Sequence, residues 1–440
     1  MDKKPELSEQ EIVRNRAIDM YLEGIGVSSI CRTIKRSRSW FYKVLRRYQQ
    51  HGRVGLGDRS RAAQVVHNRI SKELELRIVH IRKTIVGGQD PELKYANIGA
   101  DSIAAELRRL NIEPPHRATI NRILQRYDLV QPRQSKKDRP NLPEDYPWPS
   151  LTSPNAIHQV DFVSRYIRGS SRRIYGCHLL DPMRSWPYLR VISSKSAKNV
   201  TKFLVSAWQE IGLPTVMQID NDIVWNGGGR GQRVLSTVVR LCLLVGVEVL
   251  FIPPYTPKAN GAVEKFNHLW HENFWSRNEF RDIEHIQQEL PLFETYCRFR
   301  RPLSQFEGKT ANQITSEFDT RLLAPEFDDN LQYPLPITVG FLHFVRFVSH
   351  DATFSILNET WTLDKRWAGS TIRATIDTQT QTLCVYHHPA KADYCQLIAR
   401  FEYPLALTPV PLDPLYLQPR PSIWPKVKNC TLSAATLTPM

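Results

Sequence analysis

Pro253-Pro254-Tyr255-Thr256-Pro257-Lys258-Ala259-Asn260-Gly261-Ala262-Val263-Glu264-Lys265-Phe266-Asn267 follows Glu248 to Ile252, an apolar run that fits a short strand. The prolines end that strand, and a helix is expected to begin near Lys258. At helical spacing Asn260, Glu264, Asn267, His268 and His271 share one face, a polar stripe on a helix expected to be partly buried. Such a stripe needs partners from the elements it packs against.

Upstream the pattern alternates. Ile157 to Val163, Arg173 to Leu180 and Trp186 to Ile192 read as three strands, Ala197 to Ile211 as a helix and Thr215 to Ile219 as a fourth strand. Gln232 to Val245 reads as a helix before the fifth strand. Three strands, helix, strand, helix, strand, helix is the order of an RNase H-like α/β core, expected over residues 151–320. Asp161 sits near the centre of the first strand in His158-Gln159-Val160-Asp161-Phe162, and Asp220 ends the fourth in Gln218-Ile219-Asp220-Asn221. Carboxylates on neighbouring rigid strands can share a hard cation. A third, Glu264, allows two ions about 3.5–4 Å apart to be held by one shared and two flanking carboxylates.

Pro257 to Lys265 resembles the Pro-x-x-Asn-Gly-x-x-Glu-[Arg/Lys] motif of the DDE transposase and integrase catalytic core of the rve type. Asp220-Asn221 resembles its Asp-Asn-Gly, and Asn155 to Asp161 its Trp-x-x-Asp opening. The resemblance implies that Asp161, Asp220 and Glu264 are the catalytic residues and the ligands of two Mg²⁺ ions, with Mn²⁺ as a substitute. Three departures stand out: Asp222 replaces the glycine, His158 stands near the usual tryptophan, and Asn226 to Gly231 adds a glycine-rich insertion. Asp222 therefore stays open as the alternative to Asp220.

The N-terminal third reads as helices. Ser8-Glu9-Gln10-Glu11 is a capping box before Val13, Ala17, Met20 and Tyr21; Val27 to Ile34 is a short second helix; and Ser37 caps a third from Arg38 to about Gln49. This helix-turn-helix outline, residues 1–62, carries six basic and no acidic residues between Lys35 and Arg47. Arg36, Arg38, Ser39, Tyr42, Lys43, Arg46 and Arg47 are its expected DNA contacts. A second unit, residues 63–132, has helices at Ser71 to Thr84, Asp101 to Leu110 and Arg117 to Tyr127, with Arg117, Asn121 and Arg122 outward. The tandem start, including Asp58-Arg59-Ser60-Arg61, is similar to bacterial insertion-sequence transposases of the IS481 group. A Pro-rich linker is expected over 133–150.

Beyond Pro334, runs at Ile337 to Val348, Ala352 to Ile356, Thr360 to Leu363, Thr371 to Ile376 and Leu383 to Tyr386 suggest a small SH3-like β-barrel over 334–408, then a loose tail over 409–440. The fold class expected is thus multidomain: all-α helix-turn-helix units, an α/β RNase H-like core and a small barrel.

The net charge is +15, and residues 1–140 alone hold 29 Lys or Arg against 16 Asp or Glu. The basic surface is an N-terminal property, suited to a phosphate backbone. Lys258, Lys265 and His268 beside the acidic residues either touch phosphates or form a solvated face. Gly227-Gly228-Gly229-Arg230-Gly231 lacks the ending of a phosphate loop and reads as a hairpin. Cys384 to His388 with Cys395 reads as a turn with incidental ligand types. Seven scattered cysteines and no apolar leader or long apolar run suggest a reducing, cytoplasmic setting, nucleoid-associated in a bacterium and without a membrane partner. The expected activity is metal-dependent cleavage and strand transfer of double-stranded DNA, element ends into target, by a homo-oligomer. A purely hydrolytic nuclease and a DNA-binding regulator with an inactive core are the alternatives.

Overall fold

Ser8 and Ser37 fix the two ends of the first helical group. The Ser8 side chain accepts from the Glu11 amide at 3.2 Å at the start of α1 (Glu9–Leu22), and Ser37 accepts from the Trp40 amide at 3.2 Å at the start of α3 (Arg38–His51). Between them α2 (Val27–Ile34) ends where Lys35 takes a left-handed conformation. Ala17, Ile18, Ile30, Phe41, Val44, Leu45 and Leu56 form the common core, and Arg14 pairs with Asp58 below it. The computed structural model describes residues 7–58, 70–130, 141–169, 171–226, 231–315, 320–417 and 422–428. Arg59 to Arg61, residues 131–140 with the first part of the expected linker, residues 227–230 of the glycine-rich run and much of the expected tail lie outside them. The chain divides into two compact units, Met1–Ser71 and Lys72–Met440.

The second unit begins with α4 (Lys72–Gly87), α5 (Ala100–Arg109) and α6 (Arg117–Arg126), closed over Ile78, Ile81, Ile85, Ile103, Leu107, Ile120 and Ile123. Buried Glu75 is held by Lys72 at 3.3 Å and by Arg126. These helices belong to the same compact unit as the sheet that follows.

That sheet contains β1 (Ile157–Tyr166), β2 (Arg173–Asp181), β3 (Trp186–Ile192), then, after α7 (Ala197–Ile211), β4 (Val216–Ile219). A helical turn α8 (Ile223–Asn226) and α9 (Thr237–Leu244) lead to β5 (Glu248–Phe251), and α10 (Gly261–Asn273), α11 (Ile283–Phe299) and α12 (Ala311–Thr315) follow. β1 pairs antiparallel with β2 and parallel with β4, and β4 pairs parallel with β5. The order of strands and helices along the chain is the one expected of an RNase H-like core. The helix expected from Gln232 starts later because Ser236 accepts from the Val239 amide at 3.1 Å and caps α9 there.

The C-terminal strands do not stand alone as a small barrel. β6 (Phe341–Phe347) adds in parallel to β5, and the sheet continues after the hairpin β7 (Thr353–Ile356) and β8 (Glu359–Thr362) through β9 (Thr371–Asp377), β10 (Thr382–His387), β11 (Tyr394–Glu402) and β12 (Lys426–Lys428). The result is a ten-stranded sheet, with β7 and β8 paired separately. The edge of β5 explains it: Val249, Leu250 and Phe251 are buried and would otherwise present unpaired backbone groups at a core edge. Phe251 and Phe344 stack across the junction at 4.7 Å.

The segment between α4 and α5 docks on α10 and α11. Glu289 accepts from Lys94 at 2.7 Å and from the Tyr95 hydroxyl at 2.5 Å, and Asn273 donates to Tyr95 O at 3.0 Å and Asn97 Oδ1 at 2.6 Å. Replacing Glu289 by Ala leaves the Tyr95 hydroxyl without its acceptor, at a cost of about 1–3 kcal/mol. Native-state proteolysis between residues 87 and 100 is expected to accelerate in Glu289→Ala, and an unchanged rate would show that Glu289 does not hold the docking.

Candidate active site

α10 is tied to the sheet before it delivers any acidic residue. Gln159 of β1 accepts from the Val263 amide at 3.0 Å, Gln218 of β4 donates to Ala259 O at 2.7 Å, and Asn260 donates to Val160 O at 3.2 Å. Gln159, Gln218 and Asn260 are all buried, so these bonds are shielded from water. Pro257 to Asn260 form a 3-10 turn, and α10 begins at Gly261 rather than near Lys258. Glu264 follows within its first turn.

A 400 Å³ cleft opens beyond the ends of β4 and β5, and Asp161, Asp220, Asp222 and Glu264 all line it. The four residues of β4 are fully buried, so Asp220, the next residue, has a fixed exit from the sheet. Asp161 Oδ1 accepts from the Phe162 amide at 2.8 Å and Oδ2 from the Asn267 amide group at 2.6 Å. Asn267 Oδ1 lies 2.6 Å from His178 Nδ1. Burial holds His178 down at about 4, so its ring is neutral and Nδ1 is the donor to Asn267. A Cβ at Gly176 would meet His178 Nε2 at 2.9 Å, so the ring fits because residue 176 has no side chain.

Asp161 is pushed up to about 6, first by burial and then by the charges of Asp220 and Glu264. Asp220 is raised as well, by burial and by the Asp222 carboxylate, against the Asp222 amide that donates to its Oδ1 at 3.0 Å. A cation would offset this crowding of negative charge, and an all-carboxylate donor set suits a hard divalent ion. As placed, no three His, Cys, Asp or Glu side chains among the described residues lie close enough to hold a metal ion. Binding one would require the carboxylates to draw together.

Asp220 and Asp222 have different surroundings. Asp222 pairs with Lys195, which enters from the segment between β3 and α7, while its amide holds Asp220. Asn221 between them donates to Ile252 O at 2.7 Å and accepts from Arg346 at 2.9 Å. Arg346, on β6, is buried and also donates to Ile252 O at 3.2 Å and Ser355 O at 2.9 Å. Burial lowers it to about 10, which leaves it cationic at neutral pH.

The polar stripe on α10 divides by exposure. Asn260 and Asn267 face the sheet as above, His271 lies 3.3 Å from Arg165, and His268 and Lys265 are exposed to solvent. Lys258 donates to Asn141 Oδ1 at 3.0 Å. His158 is buried against Asn155 Oδ1 at 2.8 Å, with burial holding its pKa far down, and belongs to the support of β1.

In the first unit Arg36, Arg38, Ser39, Tyr42, Lys43 and Arg46 are exposed; Arg36 lies in the turn before α3, and Ser39, Tyr42, Lys43 and Arg46 share one face of α3. Arg47 is half-buried and donates to Gly57 O at 2.6 Å, a tie within the helical unit. In the second, Arg117, Asn121 and Arg122 are exposed on α6, with Arg117 at 3.5 Å from Asp101. Sequence reasoning missed Lys195 and Arg346. It also passed over Gln159 and Gln218, although amides inside apolar strands are a legible sign of a buried polar partner.

Replacing Arg346 by Met removes the brace on Asn221 and leaves carbonyl groups unpaired, with an expected loss of about 2–3 kcal/mol. Amide exchange at residues 219–222 and at Ile252 should accelerate; unchanged exchange there would show that β6 does not hold the cleft.

Residues 8–57, which span α1–α3, match the family model of the Homeodomain-like domain. Among solved structures, the chain is similar to the catalytic core domain of BIV integrase, at 16% identity over 37% of this chain and 95% of that one, with a TM-score of 0.29. It is similar to the HTLV-2 integrase catalytic core domain in complex with magnesium, in its trimeric form, at 13% identity over 37% and 97%, TM-score 0.29. A third similarity is to the simian T-cell lymphotropic virus intasome in complex with PP2A regulatory subunit B56 gamma, at 14% identity over 67% and 98%, TM-score 0.35. Among the described residues no helix is long and apolar enough to cross a membrane.

Proposed function

We propose that this protein is a DNA transposase or integrase of the DDE type, a polynucleotidyl transferase that binds element ends, cuts DNA and joins the cut strand to target DNA. The observation that carries this reading is the gathering of Asp161, Asp220 and Glu264, from β1, the end of β4 and α10, in one cleft. Asp161, Asp220 and Glu264 would hold two Mg²⁺ ions, or Mn²⁺ in their place. Ions held there would supply activation of the attacking oxygen and stabilisation of the leaving one. Asn267 orients Asp161, and the Asp222 amide orients Asp220. The Lys195 partner of Asp222 favours Asp220 as the ligand, because the Asp222 charge is already engaged.

The exposed face of α3 would enter a major groove, with Lys43 and Arg46 meeting the duplex, and α6 would contribute Arg117, Asn121 and Arg122. The match of residues 8–57 to a homeodomain-like domain supports the first of these roles. Joining two DNA ends calls for more than one copy of the chain, so a homo-oligomer on DNA belongs to the proposal. So does the finer kinship with insertion-sequence transposases of the IS481 group, and with it a bacterial cytoplasmic setting.

A strand-transfer assay on the element's terminal sequences tests the reading. Asp161→Asn, Asp220→Asn and Glu264→Gln are each expected to reduce joining about a thousandfold, on the order of 4 kcal/mol of barrier, while duplex binding stays intact. Asp222→Asn should stay within about tenfold of the native chain; joining lost in it but kept in Asp220→Asn would move the ligand role to Asp222. Chelation should abolish joining, with Mg²⁺ or Mn²⁺ restoring it. Cleavage without any joined product would make the chain a hydrolytic nuclease instead. Separately, Arg46→Ala is expected to weaken duplex binding and lower its salt slope by about 1, and an unchanged slope would remove α3 from the phosphate backbone.

A further inference from the structure

On the face of β1 and β2 turned away from α10, cations and aromatic rings succeed one another outward from Asp222. Lys195, the partner of Asp222, lies 5.7 Å from the ring centre of Phe162 and 5.6 Å from that of Tyr175. Two residues along β2, Arg173 lies 5.5 Å from Tyr175 and 6.0 Å from Tyr166. Ser164 opposes Tyr175 and Tyr166 opposes Arg173 in the β1–β2 pairing, so alternation puts all four on one face. The Arg173 guanidinium donates to Ser164 Oγ at 3.1 Å.

Cross-strand cation–aromatic pairs can serve only to hold a hairpin. Here, though, Tyr166 keeps 59% of its surface exposed, and Arg173 is exposed without a carboxylate in ion-pair range among the described residues. A buried hairpin clasp would hide the ring and neutralise the charge. An exposed ring beside an unneutralised cation matches a strand of nucleic acid whose bases are unpaired, because a ring stacks on a free base face and the cation meets phosphate. A duplex offers this surface its phosphates but not its base faces. Asp222 lines both the acidic cleft and the adjoining groove that holds Lys195, so the strip starts where the cleft ends.

We propose that the strip Lys195, Tyr175, Arg173 and Tyr166 seats a single DNA strand leaving the cleft, with phosphate on Arg173 and an unstacked base on Tyr166. The inference rests on the reading of the chain as a DNA-joining enzyme, and its test is separable from that reading. Two metal-free duplexes of one sequence are compared, one blunt and one with a short single-stranded DNA extension carrying a fluorescent base analogue. The native chain should bind the extended duplex more tightly and quench the analogue. Tyr166→Ala and Arg173→Glu should each erase about fivefold or more of that gain, Tyr166→Phe should keep it, and blunt-duplex binding should not change in any of them. Both positions are exposed, so thermal unfolding should match the native chain. No gain from the extension, a gain only with an RNA extension, or a gain and quench that survive Tyr166→Ala overturns the strip. A chain that shows the gain yet joins no strands keeps the strip and overturns the proposed activity.

Discussion

Three buried amides, Gln159, Gln218 and Asn260, tie the start of α10 to β1 and β4, and everything in the cleft depends on that tie. A helix that follows a proline-rich turn has no register of its own relative to a sheet. Hydrogen bonds between buried groups supply one, because each broken bond would strand a donor or acceptor away from water. With the first turn of α10 fixed, Glu264 and Asn267 take definite places across from Asp161. The same logic governs the far side, where the amide of Asp222 and the side chain of Asn221 set the exit of the chain from β4.

The C-terminal strands take part in this arrangement. β6 covers the open edge of β5 and brings Arg346 beneath the loop that carries Asp220. A guanidinium can brace several carbonyl groups at once because its donors form a rigid fork, which a lysine cannot reproduce. The burial that lowers its pKa leaves it charged at neutral pH, so the brace persists where the protein works. The strands expected to form a small barrel thus continue the same sheet as β1–β5.

How much of this could be read beforehand follows from the range of the interactions. The strand and helix order of the core, Asp161 within β1, Asp220 at the end of β4 and Glu264 in α10 were legible, because apolar periodicity and prolines are local signals. The six helices of the N-terminal third were legible for the same reason, down to the caps at Ser8 and Ser37. Lys195 and Arg346 were not, since their partners lie 27 and 125 residues away and nothing local marks a lysine or arginine as paired. β11 was passed over because its pattern lacks a clean alternation; its burial is correspondingly mixed. Arg47 looked like its basic neighbours, and only the return of the chain at Gly57 distinguishes it.

The docking of the α4–α5 segment through Glu289, Asn273 and their partners has a metrical consequence. Helices α4–α6 and the acidic cleft lie in one compact unit, so the distance from α6 to the carboxylates is built into the protein rather than left to a tether. Under the proposed function, a duplex gripped by α6 would be measured by a ruler of fixed length. The number of base pairs between the gripped sequence and the reacting bond would then be a property of this fold, and an element end lengthened or shortened between them would present the wrong phosphate.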